Sequence, residues 1–427
     1  MAKEFFTLEA VPARYGDCLL LHFGTAAKPG LSLIDGGPSQ VWGNFLKRRL
    51  GAIKAARKTP FLIDLLMVSH IDDDHVLGIT DFTSEWRDEV TAKRPWPFPV
   101  RLAWFNSFER ISNAKDIGAV TASVTASHGT ASLGDIDLDA PEIANTNKDE
   151  ARAGLKVLAS VKNGKQLRDD LKELKVPVNS GFEGNLVRPG EGPSVPFKLG
   201  SELTLHVVAP LANELTRLQK MFAKDLKPEA ALAAYTDGSV PNLSSIAAVA
   251  RYKGKTILLT GDARGDYLLD GLKAEGLLDP AGKLHVDVLK LPHHGSDRNV
   301  APAFFTSVTA DHYVASADGT FGNPDRATLE MLIDARGKDA AYTIHLTYPL
   351  ADIDARRKGE WDKDRQGELD SQKTEKPKTV RRAWNAAEDA LASLFKAKEE
   401  AGFQFKVAAP KTAGPGAKID LLDPLPF

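Results

Sequence analysis

Short apolar runs that stop at polar, glycine-bracketed tips recur along this chain, and they predict most of its elements. "FFTLEAV" and "DCLLLHFG" read as strands, and "LSLIDGG" is an apolar strand closed by Gly36 and Gly37. Trp42, Phe45, Leu46, Leu50 and Ile53 fall at helical spacing within 41–58, with a basic opposite face. "DLLMVSH" predicts the next strand. Over residues 81–240 the pattern weakens. Strands at "VRLAWFNSF" and "ELTLHVVAP" and helices near "KQLRDDLKEL" and "ANELTRLQKMF" alternate there with polar stretches. That region reads as an elaboration on a core: a lid, a recognition insert, or plain loop.

Order returns near Asn242. "SIAAVARYKGKTILLTGD" predicts two strands joined at Lys253-Gly254-Lys255, and "HVDVLKLPHHGS" a further strand ending in histidines. "DHYVASADG", the helix "RATLEMLIDARG" and the strand "AYTIHLTYP" follow. The charged run "DIDARRKGEWDKDRQGELDSQKTEKPK" predicts a mobile linker. A helix over 379–401, a strand over 403–407 and a docking segment "IDLLDPLPF" complete the pattern. The expected organisation is a main domain over 1–350, elaborated at 81–240, and a C-terminal extension over 351–427.

Composition narrows the class. Of 427 residues, 43% are apolar and 26% charged, which suits a sizeable globular core. Net charge is −2, so no overall basic footprint for nucleic acid or membrane exists. Cys18 is the single cysteine, which excludes an intrachain disulfide and a cysteine-rich zinc site; a small core residue is its expected role. No signal-like N-terminus and no long apolar run is visible, so a cytoplasmic protein without a membrane segment is expected.

The chemistry lies at four strand tips: Asp35, His70 to His75, Asp262, and the pair His293-His294. Open α/β layers place sites where strand ends converge. In "SHIDDDHVLG", alternation puts His70 and Asp72 on one side, and Asp74 and His75 follow from the turn into a helix. Asp73 should point away. Nitrogen and oxygen donors at this spacing suit two adjacent cations. The alternative is that Asp72 to Asp74 only favour a helix start. Asp262 after a strand and a glycine is more commonly a turn, whereas "LPHHGS" is rarer and fits metal ligation or proton transfer. His22, His128, His206, His285, His312 and His345 read as ordinary histidines. No nucleophile elbow, Walker loop or dinucleotide fingerprint is present.

Five segments in series, "YGDCLLLHFG", "LIDGG", "SHIDDDHVLG", "NLSSIAAVARYKGKTILLTGDA" and "LPHHGS", resemble the metallo-β-lactamase superfamily. Within it they resemble soluble relatives of the hydrolase domain of ComEC-type competence proteins. "SADGTFGNP" is a weaker sixth. The resemblance implies an α/β fold, an αββα metallo-β-lactamase-like sandwich with a large insertion and a helical C-terminal extension. It implies a centre of one or two divalent metal ions. His70 and Asp72 would serve one ion, and Asp74 and His75 the other. Asp262 would bridge them, and His293, favoured over His294, would complete a shell. Asp35 and Asp17 would support these ligands from behind.

Asp72 replaces the family's usual histidine, the Asn242 region lacks another, and Gly322-Asn323-Pro324 lacks a third. Oxygen donors in their place favour Mn²⁺ or Mg²⁺ over Zn²⁺, so Mn²⁺ and Mg²⁺ join Zn²⁺ among the expected ions. The expected function is metal-dependent hydrolysis of a phosphodiester in a nucleotide or nucleic acid, with Asp74 or His294 moving the proton. Lys290, Arg264 and Arg298 flank the motifs as candidate phosphate contacts, or as solvated surface charges. Hydrolysis of a lactone, thioester or amide at the same centre is the alternative, and a non-catalytic binding protein is the third. A protein partner through 81–240 or the C-terminal extension is a further expectation.

Overall fold

The structure, a computed structural model, describes residues 2–107, 110–111, 162–190, 192–200, 202–216, 244–374 and 379–427. Expectations for the Asn242 region, for His128 and for the helix beyond residue 216 lie outside the described residues. The first sheet contains β1 (Glu4–Ala10), β2 (Leu19–Thr25), β3 (Lys28–Ile34), β4 (Leu65–Val68) and β5 (Ala103–Phe105), each paired with the next. The second runs in the same manner through β6 (Phe197–Leu199), β7 (Leu203–Ala209), β8 (Ala247–Tyr252), β9 (Lys255–Leu259), β10 (Leu284–Lys290), β11 (Val308–Ala315), β12 (Tyr342–Leu346) and β13 (Phe405–Ala408). A last strand, β14 (Ala417–Asp420), pairs antiparallel with β1 on the outer edge of the first sheet.

These strands are apolar on both sides because both faces are covered. Leu19 and Leu21 of β2 enter the core between the sheets, while Leu20 faces the outer helices. Phe6, Leu8, Met67 and Trp104 of the first sheet meet Leu205, Ile257, Val288 and Val314 of the second in that central core. Outside the first sheet pack α1 (Lys47–Ala56), α2 (Asp73–Thr91) and α3 (162–173), through Leu50, Ile53, Ile79, Phe82, Leu167 and Leu171. Outside the second pack α4 (Gly265–Ala274), α5 (Pro302–Ser307) and α6 (Arg326–Arg336). The result is a four-layer αββα sandwich. No helix among the described residues is long and apolar enough to cross a membrane.

Two C-terminal expectations are corrected. The charged run over 352–378 is no linker: α7 (Leu350–Thr374) occupies most of it. Ile353 is fully buried in the outer core, and Arg357 donates to Gly322 O at 2.9 Å and Asp389 O at 2.8 Å. Asp354 accepts from the Leu391 and Ala392 backbone N–H groups. Polar side chains dock this helix, so hydropathy alone does not reveal it. The helix expected over 379–401 is a turn at Ala386–Asp389 followed by α8 (Leu391–Glu400), with Ala390 extended between them.

Candidate metal centre

Backbone contact between glycines sets the position of α2. A Cβ at Gly78 would lie 1.9 Å from Gly36 O, so the helix start rests directly on the loop after β3. Gly36 N–H donates to His75 O at 2.8 Å and Gly78 N–H to Gly37 O at 2.9 Å. Asp35 is thereby held beneath the tip of β4. Its carboxylate accepts from Ser69 N–H and Ser69 Oγ, each at 2.7 Å, and from His75 Nδ1 at 2.9 Å. Asp72 sits extended ahead of α2 and makes no capping hydrogen bond, so helix capping does not occupy it. Asp73 turns away and accepts from Asn163 Nδ2 of α3 at 2.8 Å.

Four histidines are each anchored through Nδ1. His75 donates to Asp35, and His294 to Ser316 O at 3.1 Å. His293 donates to Asn299 Oδ1 at 2.7 Å, and His70 to Ser69 Oγ at 3.1 Å. A donating Nδ1–H leaves Nε2 as a lone-pair acceptor. All four Nε2 atoms converge on Asp262, at 3.9 Å from His70, 3.3 Å from His75, 3.5 Å from His293 and 3.5 Å from His294. His70 Nε2 also lies 3.5 Å from Asp72, and His294 Nε2 3.3 Å from Asp74. His75 and His294 face each other Nε2 to Nε2 at 3.2 Å. Acceptors aimed at one another need a proton or a cation between them.

Asp17, His75, Asp262 and His294, all buried, each offer one ligand atom, and these atoms lie within 4.8 Å of one another. Among the described residues, no hydrogen bond satisfies the buried His70 Nε2 or Asp262 Oδ1. Such orphaned acceptors in a buried site fit a divalent cation. The electrostatics agree. Burial alone would push the Asp262 carboxyl up, yet the His75, His294 and His293 imidazoles hold it well below the usual carboxylate range. Burial likewise opposes charge on His75 and His294, but the surrounding carboxylates, Asp262 foremost, drive both well above the usual imidazole range. The same field of carboxylates that favours charge on these imidazoles favours a cation at the centre. The cluster has the composition and geometry of a divalent-metal site.

The structure brings His70, Asp72, Asp74, His75, Asp262, His293 and His294 to one centre. Asp17, expected behind the ligands, lies 3.3 Å from His294 Nδ1 and 4.0 Å from His75 Nδ1, on the side of both imidazoles away from the converging Nε2 atoms. Lys290 is the residue that sequence reasoning placed worst. It is fully buried, not a surface contact for phosphate, with its ammonium ion-paired to Asp17 and donating to Gly261 O at 3.1 Å. Arg264 pairs with Asp266 at 2.8 Å, while Arg298 is exposed. Ser69, Asn299 and Ser316, which orient the imidazoles, carried no signal beyond their place beside the motifs.

No protein-family model matches the chain, and no curated protein does. Among solved structures, the chain is similar to the metallo-beta-lactamase fold protein YhfI from Bacillus subtilis at 10% sequence identity and a TM-score of 0.36, over 97% of this chain and 99% of that one.

Proposed function

We propose that this protein is a metal-dependent hydrolase whose substrate is a phosphodiester of nucleotide size. The observation that carries the reading is the convergence of four anchored imidazole Nε2 atoms on Asp262. His70, Asp72 and His293 would hold one divalent ion together with Asp262. Asp74, His75 and His294 would hold a second, sharing Asp262, with Asp17 behind the two imidazoles. The mixed nitrogen and oxygen donors suit Mn²⁺ or Zn²⁺. Such ions lower the pKa of a water and offset charge on phosphoryl oxygens.

The chain's own groups have separable tasks. Asp35 and Ser316 O fix the tautomers of His75 and His294, so each imidazole meets its ligand without reorganising. Lys290 places a permanent positive charge against Asp17 inside the cluster. Asp74, like Asp72, is partly exposed, and proton transfer to and from solvent is assigned to Asp74, whose carboxylate lies 3.3 Å from His294 Nε2. His294, also a candidate for that role, is buried with Nδ1 on Ser316 O and serves better as a ligand.

The test is turnover of bis(4-nitrophenyl) phosphate, with Mn²⁺ and with Zn²⁺, beside a panel of lactones and β-lactams. Phosphodiester turnover that a chelator abolishes is the expected result. Turnover of carbonyl substrates alone moves the assignment to acyl hydrolysis. No turnover, in a protein carrying no metal, leaves a binding role.

A further inference from the structure

Beside the centre, the turn Thr320–Gly322 exposes an aromatic ring. Phe321 is 59% exposed and adopts φ +58°, a left-handed conformation that non-glycine residues rarely take. The ring is nevertheless held in place. It packs edge-to-face on Tyr15, centroids 5.2 Å apart and planes at 72°. Arg14, also left-handed at φ +57°, sets its guanidinium 5.3 Å from the Tyr15 centroid.

Both segments are fastened to the centre. Tyr15 precedes Gly16, where a Cβ would lie 1.9 Å from Asp74 O, and Asp17 follows. Burial, and then the nearby Asp74 and Asp73 carboxylates, push the Tyr15 phenol up against the opposing pull of Arg14. Ser316 Oγ donates to Gly16 O at 2.8 Å, tying the two loops together. Beyond the turn, Asp325 N–H donates to Gly295 O at 2.9 Å, one residue past His294. From beneath, Arg357 Nε donates to Gly322 O at 2.9 Å and Arg356 pairs with Asp318. Phe321, backed by the half-buried Tyr15, is therefore a braced, water-facing ring beside the metal centre.

We infer that Phe321, braced edge-to-face by Tyr15, forms a stacking platform for the nucleobase of a small nucleotide whose phosphate lies at the metal centre. The substrate class rests on the phosphodiester reading above; the platform adds which end of the substrate is recognised, and by what. A planar π-face is what an exposed ring binds without a hydrogen-bond code. A net charge of −2 favours a mononucleotide-sized ligand over a long polyanionic strand.

The experiment is calorimetric titration of the full chain, in Mn²⁺, with adenosine 5′-monophosphate and with ribose 5-phosphate, which lacks the base. Stacking of one base predicts about tenfold tighter binding of the nucleotide. Phe321→Ala should erase that preference and leave ribose 5-phosphate affinity unchanged; Phe321→Tyr should retain it. Equal affinities in the unmodified protein, no binding of the nucleotide, or a preference that survives Phe321→Ala overturns the proposal. A Phe321-dependent base preference without any phosphodiester turnover would uphold the platform and remove the catalytic reading. Turnover without base preference would do the reverse.

Discussion

Asp74 lies 3.3 Å from His294, while its neighbour Asp73 hydrogen-bonds Asn163 on another helix. Asp74→Ala should therefore lower turnover by about three orders of magnitude, the scale of lost acid–base work. Asp73→Ala should stay within about threefold, because its partner is structural. Steady-state kinetics and metal content read both; equal losses would contradict the geometry. The histidines add a pH dependence. In the ion-free protein His75 and His294 have raised pKa values, so they carry protons at neutral pH that an incoming cation must displace. Metal affinity should rise with pH, and calorimetry in two buffers of different ionisation enthalpy should register proton release. Lys290→Met would leave the Asp17 carboxylate buried without its cation. A loss of about 3–5 kcal/mol in urea unfolding is expected. Of these residues, the histidines and Asp262 were legible in the sequence because they cluster in the polar segments that follow apolar strands. Lys290 was not, because a lysine between a strand and a loop reads as surface until the pairing of β9 with β10 brings Gly261 O to it and the stacking of the two sheets brings Asp17.

At the scale of elements, the sequence separated buried strands well and polar helices poorly. "LLMV" and "KTILL" declare themselves by composition, and both are strands. The hairpin between β8 and β9 was also legible, since Lys253 and Gly254 both adopt the positive φ its two-residue turn demands. Helix α7 was hidden, for its docking depends on a few residues among many charges. Ile353→Ala should cost about 2–4 kcal/mol, the usual price of a cavity under a buried branched side chain. Amide exchange provides an independent check. Protection around residues 353–357 is expected from the docked helix, whereas a linker would exchange at once.

Across the whole molecule, the chain's last strand pairs with its first. No local pattern announces that partnership, because Thr7 and Asp420 stand at opposite ends of the sequence. Near that edge Glu9 joins His22 at 3.2 Å and Arg49 at 2.5 Å. Burial would raise the Glu9 carboxyl, but these partners bring it from 4.5 down to about 2. A depressed carboxyl stabilises the fold fully above its unfolded value near 4.5, and that contribution fades as pH falls through about 2. Glu9→Gln should cost ~3 kcal/mol at pH 7, and the difference should close near pH 2 in urea titrations.

The site takes Asp17, His70 and Asp72 from loops of one sheet and Asp74 and His75 from the start of α2 beside it, and Asp262, His293 and His294 from loops of the other. Neither leaf of the sandwich owns the centre, so a cation seated there would act as a clasp across the spine. Remote changes that let the leaves part, at Trp104 or Phe6 for instance, would then surface first as a slackened grip on the ion, well before the molecule melts.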